Sequence, residues 1–123
     1  MRRQGVMDIL FDSSNVVIRK MSYDDIPSIC RTDEDESEGN IAYLKNQLIN
    51  QEKHECSALM ALYNGNVAGY VFLYYKCRWG GLANCGVPGV VDLMVFEKYR
   101  QKGIATSLMD VAEDIAKRYS KKI

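Results

Sequence analysis

The stretch Arg100-Gln101-Lys102-Gly103-Ile104-Ala105-Thr106 holds the parts from which a protein builds a phosphate site. It lies between a β-prone run and the start of an amphipathic helix. The first N–H groups of such a helix have no partner within it, and the helix dipole adds partial positive charge at the same end. Gly103 lets the backbone approach an anion with no Cβ in the way, while Arg100, Lys102 and the hydroxyls of Thr106 and Ser107 add charge and donors. The two common phosphate loops are absent, since the sequence has no GxxxxGK(S/T) and no GxGxxG. ATP in a P-loop and NAD on a Rossmann turn are therefore disfavoured, and the residues alone leave a phosphate-bearing ligand of another kind.

Other residue types invite chemistry less directly. Asp92 stands in an apolar run, where a carboxylate needs a partner; it is either a general base or an acid hydrogen-bonded within a sheet. The run Asp33-Glu34-Asp35-Glu36-Ser37-Glu38 is a solvated loop or an attractor of a cationic amine. Tyr70, Tyr74 and Tyr75 read as strand packing, and His54 ends a polar helix with no nucleophile beside it. Cys30, Cys56, Cys77 and Cys85 form no CxxC pair and have one histidine to join them, so no metal site is expected and reduced thiols are.

The chain around these residues has 123 residues with 16 Lys plus Arg against 16 Asp plus Glu, enough for one domain and too balanced for a basic nucleic-acid binder. No apolar run approaches the roughly 20 residues of a membrane span, and Met1-Arg2-Arg3-Gln4 leads into a mixed segment, so neither a membrane partner nor an export signal is expected. A cytoplasmic location follows as an expectation.

The elements that must position the site can be read in order. Residues 1–15 read as an N-terminal extension, followed by a first strand at Val16–Met21. Ser22 offers a helix cap with Asp25 three residues on, and that helix should run to about Arg31. After a charged loop to Gly39, the spacing of Ile41, Leu44, Leu48 and Ile49 predicts a second helix to about Glu52. Cys56–Tyr63 and Val67–Lys76 read as strands joined by Asn64-Gly65-Asn66, a strong hairpin signal. Cys77–Pro88, with Trp79 among glycines, reads as a long connection. Val90–Phe96 is apolar enough for a central strand covered on both faces. Ile104, Leu108, Val111, Ile115 and Tyr119 then mark a final amphipathic helix.

The segment Arg100 to Ala105 resembles the pyrophosphate signature (Q/R)-x-x-G-x-(G/A) of the GCN5-related N-acetyltransferase (GNAT) family. Asp92 to Tyr99 is similar to the family's fourth strand and its exit, and Asn64 to Tyr70 to its hairpin, with a glycine early in the next strand. The resemblance spans about Val16 to Tyr119. It implies a single α/β domain over 1–123 with a mixed sheet and the order β-α-α-β-β-β-α, the strands and first two helices within 16–96 and the pyrophosphate loop and helix within 97–120. It further implies acetyl-CoA as co-substrate, with backbone groups of Leu93, Met94 and Val95 on its pantetheine arm and those of Arg100, Gln101, Lys102, Gly103, Ile104, Ala105 and Thr106 around its pyrophosphate. The Val95 N–H is the candidate oxyanion donor, and Asp92 the candidate base, for acetyl transfer to an amine. Family members continue into a fifth strand and a further helix that carries the usual acid. The sequence ends at Ile123, so a truncated, inactive or partner-completed CoA-binding module is the alternative, and self-association through the exposed edge of the fourth strand is expected.

Overall fold

The computed structural model describes residues 9–76 and 89–120. One antiparallel sheet of five strands, in the order β1-β2-β3-β4-β5, carries helices on its two faces. The strands are β1 (Ile9–Asp12), β2 (Val16–Lys20), β3 (Cys56–Tyr63), β4 (Asn66–Tyr74) and β5 (Gly89–Val95), and the helices α1 (Ile26–Thr32), α2 (Glu38–Glu52) and α3 (Ile104–Ser120). The mixed α/β class expected from the sequence is what forms. One strand is added to the expected order, because Ile9–Asp12, read as part of an extension, folds back through Ser13-Ser14-Asn15 to pair with β2. The Ser13 N–H donates to the Val16 carbonyl at 2.8 Å and closes that turn.

β3 and β4 form the buried centre of the sheet, and their residues alternate between the two helical layers. Asn64 and Gly65 join them with φ of 50° and 86°, the left-handed pair that the Asn-Gly signal predicts for a two-residue hairpin. α3 lays Ile104, Leu108, Val111, Ala112 and Ile115 on one face of the sheet. Each larger side chain buried there stabilises the docking by roughly 1.5–3 kcal/mol before entropy is counted. α1 and α2 cover the other face with Ile26, Ile29, Cys30, Leu44 and Leu48.

Three local expectations shift. Ser22 opens a single 3-10 turn over Tyr23–Asp25, with its N–H bonded to Asp25 Oδ2 at 2.8 Å, and α1 proper begins one turn later. α2 begins at Glu38 because Ser37 Oγ accepts from the Asn40 N–H at 3.2 Å and caps the helix inside the acidic run. β5 pairs with β4 alone among the described strands and is the exposed edge that was expected, but its apolar run, read as a central strand covered on both faces, leaves Val90 and Leu93 each 41% exposed. Its apolar residues are those of a covered strand; the described chain supplies cover on one side. The Cys77–Pro88 connection, with Trp79 and Cys85, lies outside the described residues. Among the described residues, no helix is long and apolar enough to cross a membrane and no group of three or more His, Cys, Asp or Glu could hold a metal ion.

Candidate functional site

The site begins where β5 departs from regular pairing. Tyr70 stands opposite Met94 and Phe72 opposite Val91, so Asp92 and Leu93 together oppose Val71, and Asp92 takes a φ of 55°. This is a β-bulge with its first residue in the left-handed region, which Asp tolerates better than most residues. Beyond it the Phe96 N–H donates to the Ala68 carbonyl at 2.9 Å. Antiparallel pairing alternates, so the N–H and C=O of Val95 face away from β4, toward the open edge. Gly69, opposite Val95, permits this approach: a Cβ there would stand 2.4 Å from the Met94 carbonyl oxygen.

From β5 the chain passes through a 3-10 turn at Glu97–Tyr99, buries Tyr99, and enters α3 by way of Gln101 and Gly103, whose φ values are 65° and 78°. Ser107 N–H donates to the Gly103 carbonyl at 3.0 Å and makes the first bond of the helix. The N–H groups of Ile104, Ala105 and Thr106 therefore precede the intrahelical ladder and are available at its positive end. A cleft of about 620 Å³ runs along this path, lined by Leu93, Met94 and Val95 of the strand and by Tyr99, Arg100, Gln101, Gly103, Ile104, Ala105 and Thr106 of the turn and helix. Ser107, whose hydroxyl was also offered to the phosphate, is not among its lining. Of the residues read from the family resemblance as cofactor-binding, all but one line this one continuous cleft. The exception is Lys102, whose Nζ lies over the Tyr63 ring, 5.3 Å from its centre, on the side of β3.

A second cleft of about 770 Å³ meets the first at Met94, Tyr99 and Arg100. Its far wall is the end of α1 and the acidic loop, with Ser28, Arg31, Thr32, Asp33 and Glu34, and Gly65 to Val67 of the hairpin close it. Burial, and then the charge of Asp35, raise the Asp33 carboxyl above its usual range. Arg100 donates from Nε to the Val95 carbonyl at 3.0 Å and so ties the turn to the strand between the two clefts.

Asp92 is exposed and its Oδ2 accepts a hydrogen bond from the Tyr43 hydroxyl on α2. The Tyr43 ring packs its edge on Phe72 at 6.0 Å, and Tyr70 lies 5.2 Å from Phe72 on the same face of β4. Burial pushes the Tyr43 phenol well above its usual range, helped by the bond to Asp92 and its charge. Tyr70 is pushed up to about 12 by burial and then by the charges of Asp33 and Asp92. Tyr43, Tyr99 and Tyr70 were not picked out as site residues from the sequence: tyrosines at strand and helix spacings look like packing, and Tyr43 meets Asp92 only through the fold.

Comparison with known proteins follows the same path. The family model described as the acetyltransferase (GNAT) family matches residues 20–123. Among solved structures, the ribosomal L7/L12 alpha-N-protein acetyltransferase RimL without ligand aligns over 94% of this chain and 66% of its own, at a TM-score of 0.69 and 10% identity. The PaiA N-acetyltransferase of Thermoplasma acidophilum, in complex with coenzyme A, aligns over 85% of this chain and 74% of its own, at 0.63 and 18%. A ribosomal-protein-alanine N-acetyltransferase of Brucella melitensis biovar Abortus 2308 aligns over 85% and 73%, at 0.61 and 26%. The chain spans about two-thirds of the first and about three-quarters of the other two. A search of the curated proteins finds no match.

Proposed function

The chain belongs to the GNAT family of acetyltransferases, and from that membership we propose that it moves an acetyl group from acetyl-CoA to a primary amine. The observation that carries the reading is the single cleft that joins the bulged edge of β5 to the turn at Gln101 and Gly103 and the open N-terminus of α3. A strand edge with outward backbone groups suits the amide-rich pantetheine arm, and a helix N-terminus suits a pyrophosphate. A solved relative in complex with coenzyme A supports the same choice.

In this reading the N–H groups of Gly103, Ile104, Ala105 and Thr106 hold the pyrophosphate, with Arg100 and Gln101 beside them. Leu93, Met94 and Val95 present the strand edge to the pantetheine arm. Bound there, acetyl-CoA supplies an activated acyl thioester. The Val95 N–H, facing away from β4, donates to the carbonyl oxygen as negative charge develops on it. Asp92 lies outside the lining of both clefts, next to Leu93 of the first, and takes from the bulge, directly or through a water, the proton that an ammonium must lose before nitrogen can attack. The 770 Å³ cleft receives the amine; its lining sets Asp33, Glu34 and Glu97 against Arg31, Lys98 and Arg100, so a cation is favoured only on the side of Asp33 and Glu34.

Isothermal titration of acetyl-CoA into the wild-type chain and Gly103→Ala tests the reading. The added Cβ meets nothing in the protein, though φ of 78° strains any side chain, so the variant is expected to fold with a loss of about 1 kcal/mol. Its Cβ points where the anion must approach, and binding is expected to weaken by about tenfold or more. Equal affinity in wild type and variant would remove the phosphate from this turn.

A further inference from the structure

We infer that Tyr43 is a positioning residue for acetyl transfer: its hydroxyl, carried by α2, holds the Asp92 carboxylate at the β5 bulge in the orientation that takes the proton of the incoming amine. The inference rests on the reading of Asp92 as the base. In the step it serves, the acceptor ammonium gives its proton to Asp92 and the freed lone pair forms the N–C bond. The C–S bond breaks, the nitrogen of the tetrahedral adduct loses its second proton and the CoA thiolate gains one, both through solvent, so that a neutral amide and the CoA thiol leave while Asp92 returns the first proton to solvent.

Three observations carry it. The Tyr43 hydroxyl donates to Asp92 Oδ2 across 49 positions of sequence and so joins a helix to a strand edge. Asp92 leaves the strand at φ of 55° within the bulge, where the regular alternation of the sheet no longer sets the direction of its side chain. Tyr43, by contrast, is fixed, with its ring edge against Phe72 and its helix anchored by Leu44 and Leu48. A free carboxylate has two rotatable bonds, and proton transfer needs its oxygen within about 0.5 Å of the productive place. The bond has little to contribute to the fold itself, because hydrogen bonds to exposed charged groups are screened by water.

The test uses the purified chain, saturating acetyl-CoA and four probe amines: spermidine, kanamycin, L-lysine and a peptide with a free alanine N-terminus. Tyr43→Phe keeps the ring on Phe72, and Asp92→Asn keeps a residue that accepts positive φ, so both are expected to fold, with melting curves as the control. On the best probe, Asp92→Asn is expected to lower kcat by roughly 100-fold. Tyr43→Phe is expected to lower it by about tenfold with the acetyl-CoA Kd unchanged, and to cost nothing further in the Asp92→Asn background. A structural role would lower both backgrounds alike and would overturn the inference. Full activity in Tyr43→Phe beside a dead Asp92→Asn overturns the inference alone. Full activity in Asp92→Asn overturns the reading of Asp92 and the inference with it, as does absence of transfer to all four probes.

Discussion

Asp25 shows how one side chain can close a turn and bind a strand at once. Burial alone would raise its pKa, but the two hydrogen bonds from Arg19, at 2.8 and 2.9 Å, the bonds from Ser22 and the Arg19 charge outweigh burial and leave it below the usual carboxylate range. A carboxyl whose folded pKa lies below its unfolded value of about 3.9 stabilises the fold fully above that pH and loses the contribution as pH falls through the folded value. The wild type is therefore expected to exceed Asp25→Asn by about 1 kcal/mol at pH 7, after screening, and by progressively less below about pH 4. Denaturant midpoints of both proteins between pH 7 and 2.5 measure this, and a gap that stays constant would show that ionisation of Asp25 plays no part. Half of this arrangement was legible beforehand: Ser22 and Asp25 stand at capping distance in sequence, whereas the Arg19 partner is fixed by how β2 meets the turn. Lys102 makes the complementary point. Its charge in the turn was readable, but its position over Tyr63 depends on β3, which sequence proximity does not bring near.

Between elements, the β4–β5 contact is the one on which the cleft depends. Gly69 is needed there for space, since its φ is ordinary but a Cβ would lie 2.4 Å from the Met94 carbonyl oxygen and 3.2 Å from Val95 Cα. Backbone cannot rotate aside as a side chain can, so Gly69→Ala has to push β5 outward at the bulge. It is expected to cost about 1–3 kcal/mol in chemical denaturation and to weaken acetyl-CoA binding along with stability, because Leu93, Met94 and Val95 move together. Unchanged stability would mean that the strands separate freely at this point. The elements themselves were mostly legible, because their signals are local: Asn64-Gly65 for the hairpin, and Ile104 to Ile115 at helical spacing for α3. What failed to be legible is neighbourhood. The run Val90–Phe96 has the composition of a strand covered on both faces; its place at an edge was expected from the resemblance, whereas the exposure of Val90 and Leu93 depends on what packs against the faces. Ile9-Leu10-Phe11 is too short to announce a strand without β2 to receive it.

For the molecule as a whole, the cleft matters because it joins β5 at one sheet edge to α3 on one face, and a ligand that fills it ties the two together. The loop residues, the strand and the helix were readable as one ligand site through the family resemblance; the junction of their cavity with the second cleft at Met94, Tyr99 and Arg100 required the fold. A ligand that binds only the folded state stabilises it by RT ln(1 + [L]/Kd), about 2.7 kcal/mol at 100 times Kd. For a domain of this size that corresponds to a rise in Tm of about 10 °C. On the proposed reading acetyl-CoA and CoA would span strand and helix and are expected to produce such a rise, while ATP at the same concentration would reach the turn alone and is expected to shift Tm by far less. Thermal melts with the three ligands thus separate the phosphate contribution from the strand contribution. An equal rise with ATP would place all the affinity in the turn at Gly103, and the edge of β5 would then have no part in choosing the ligand.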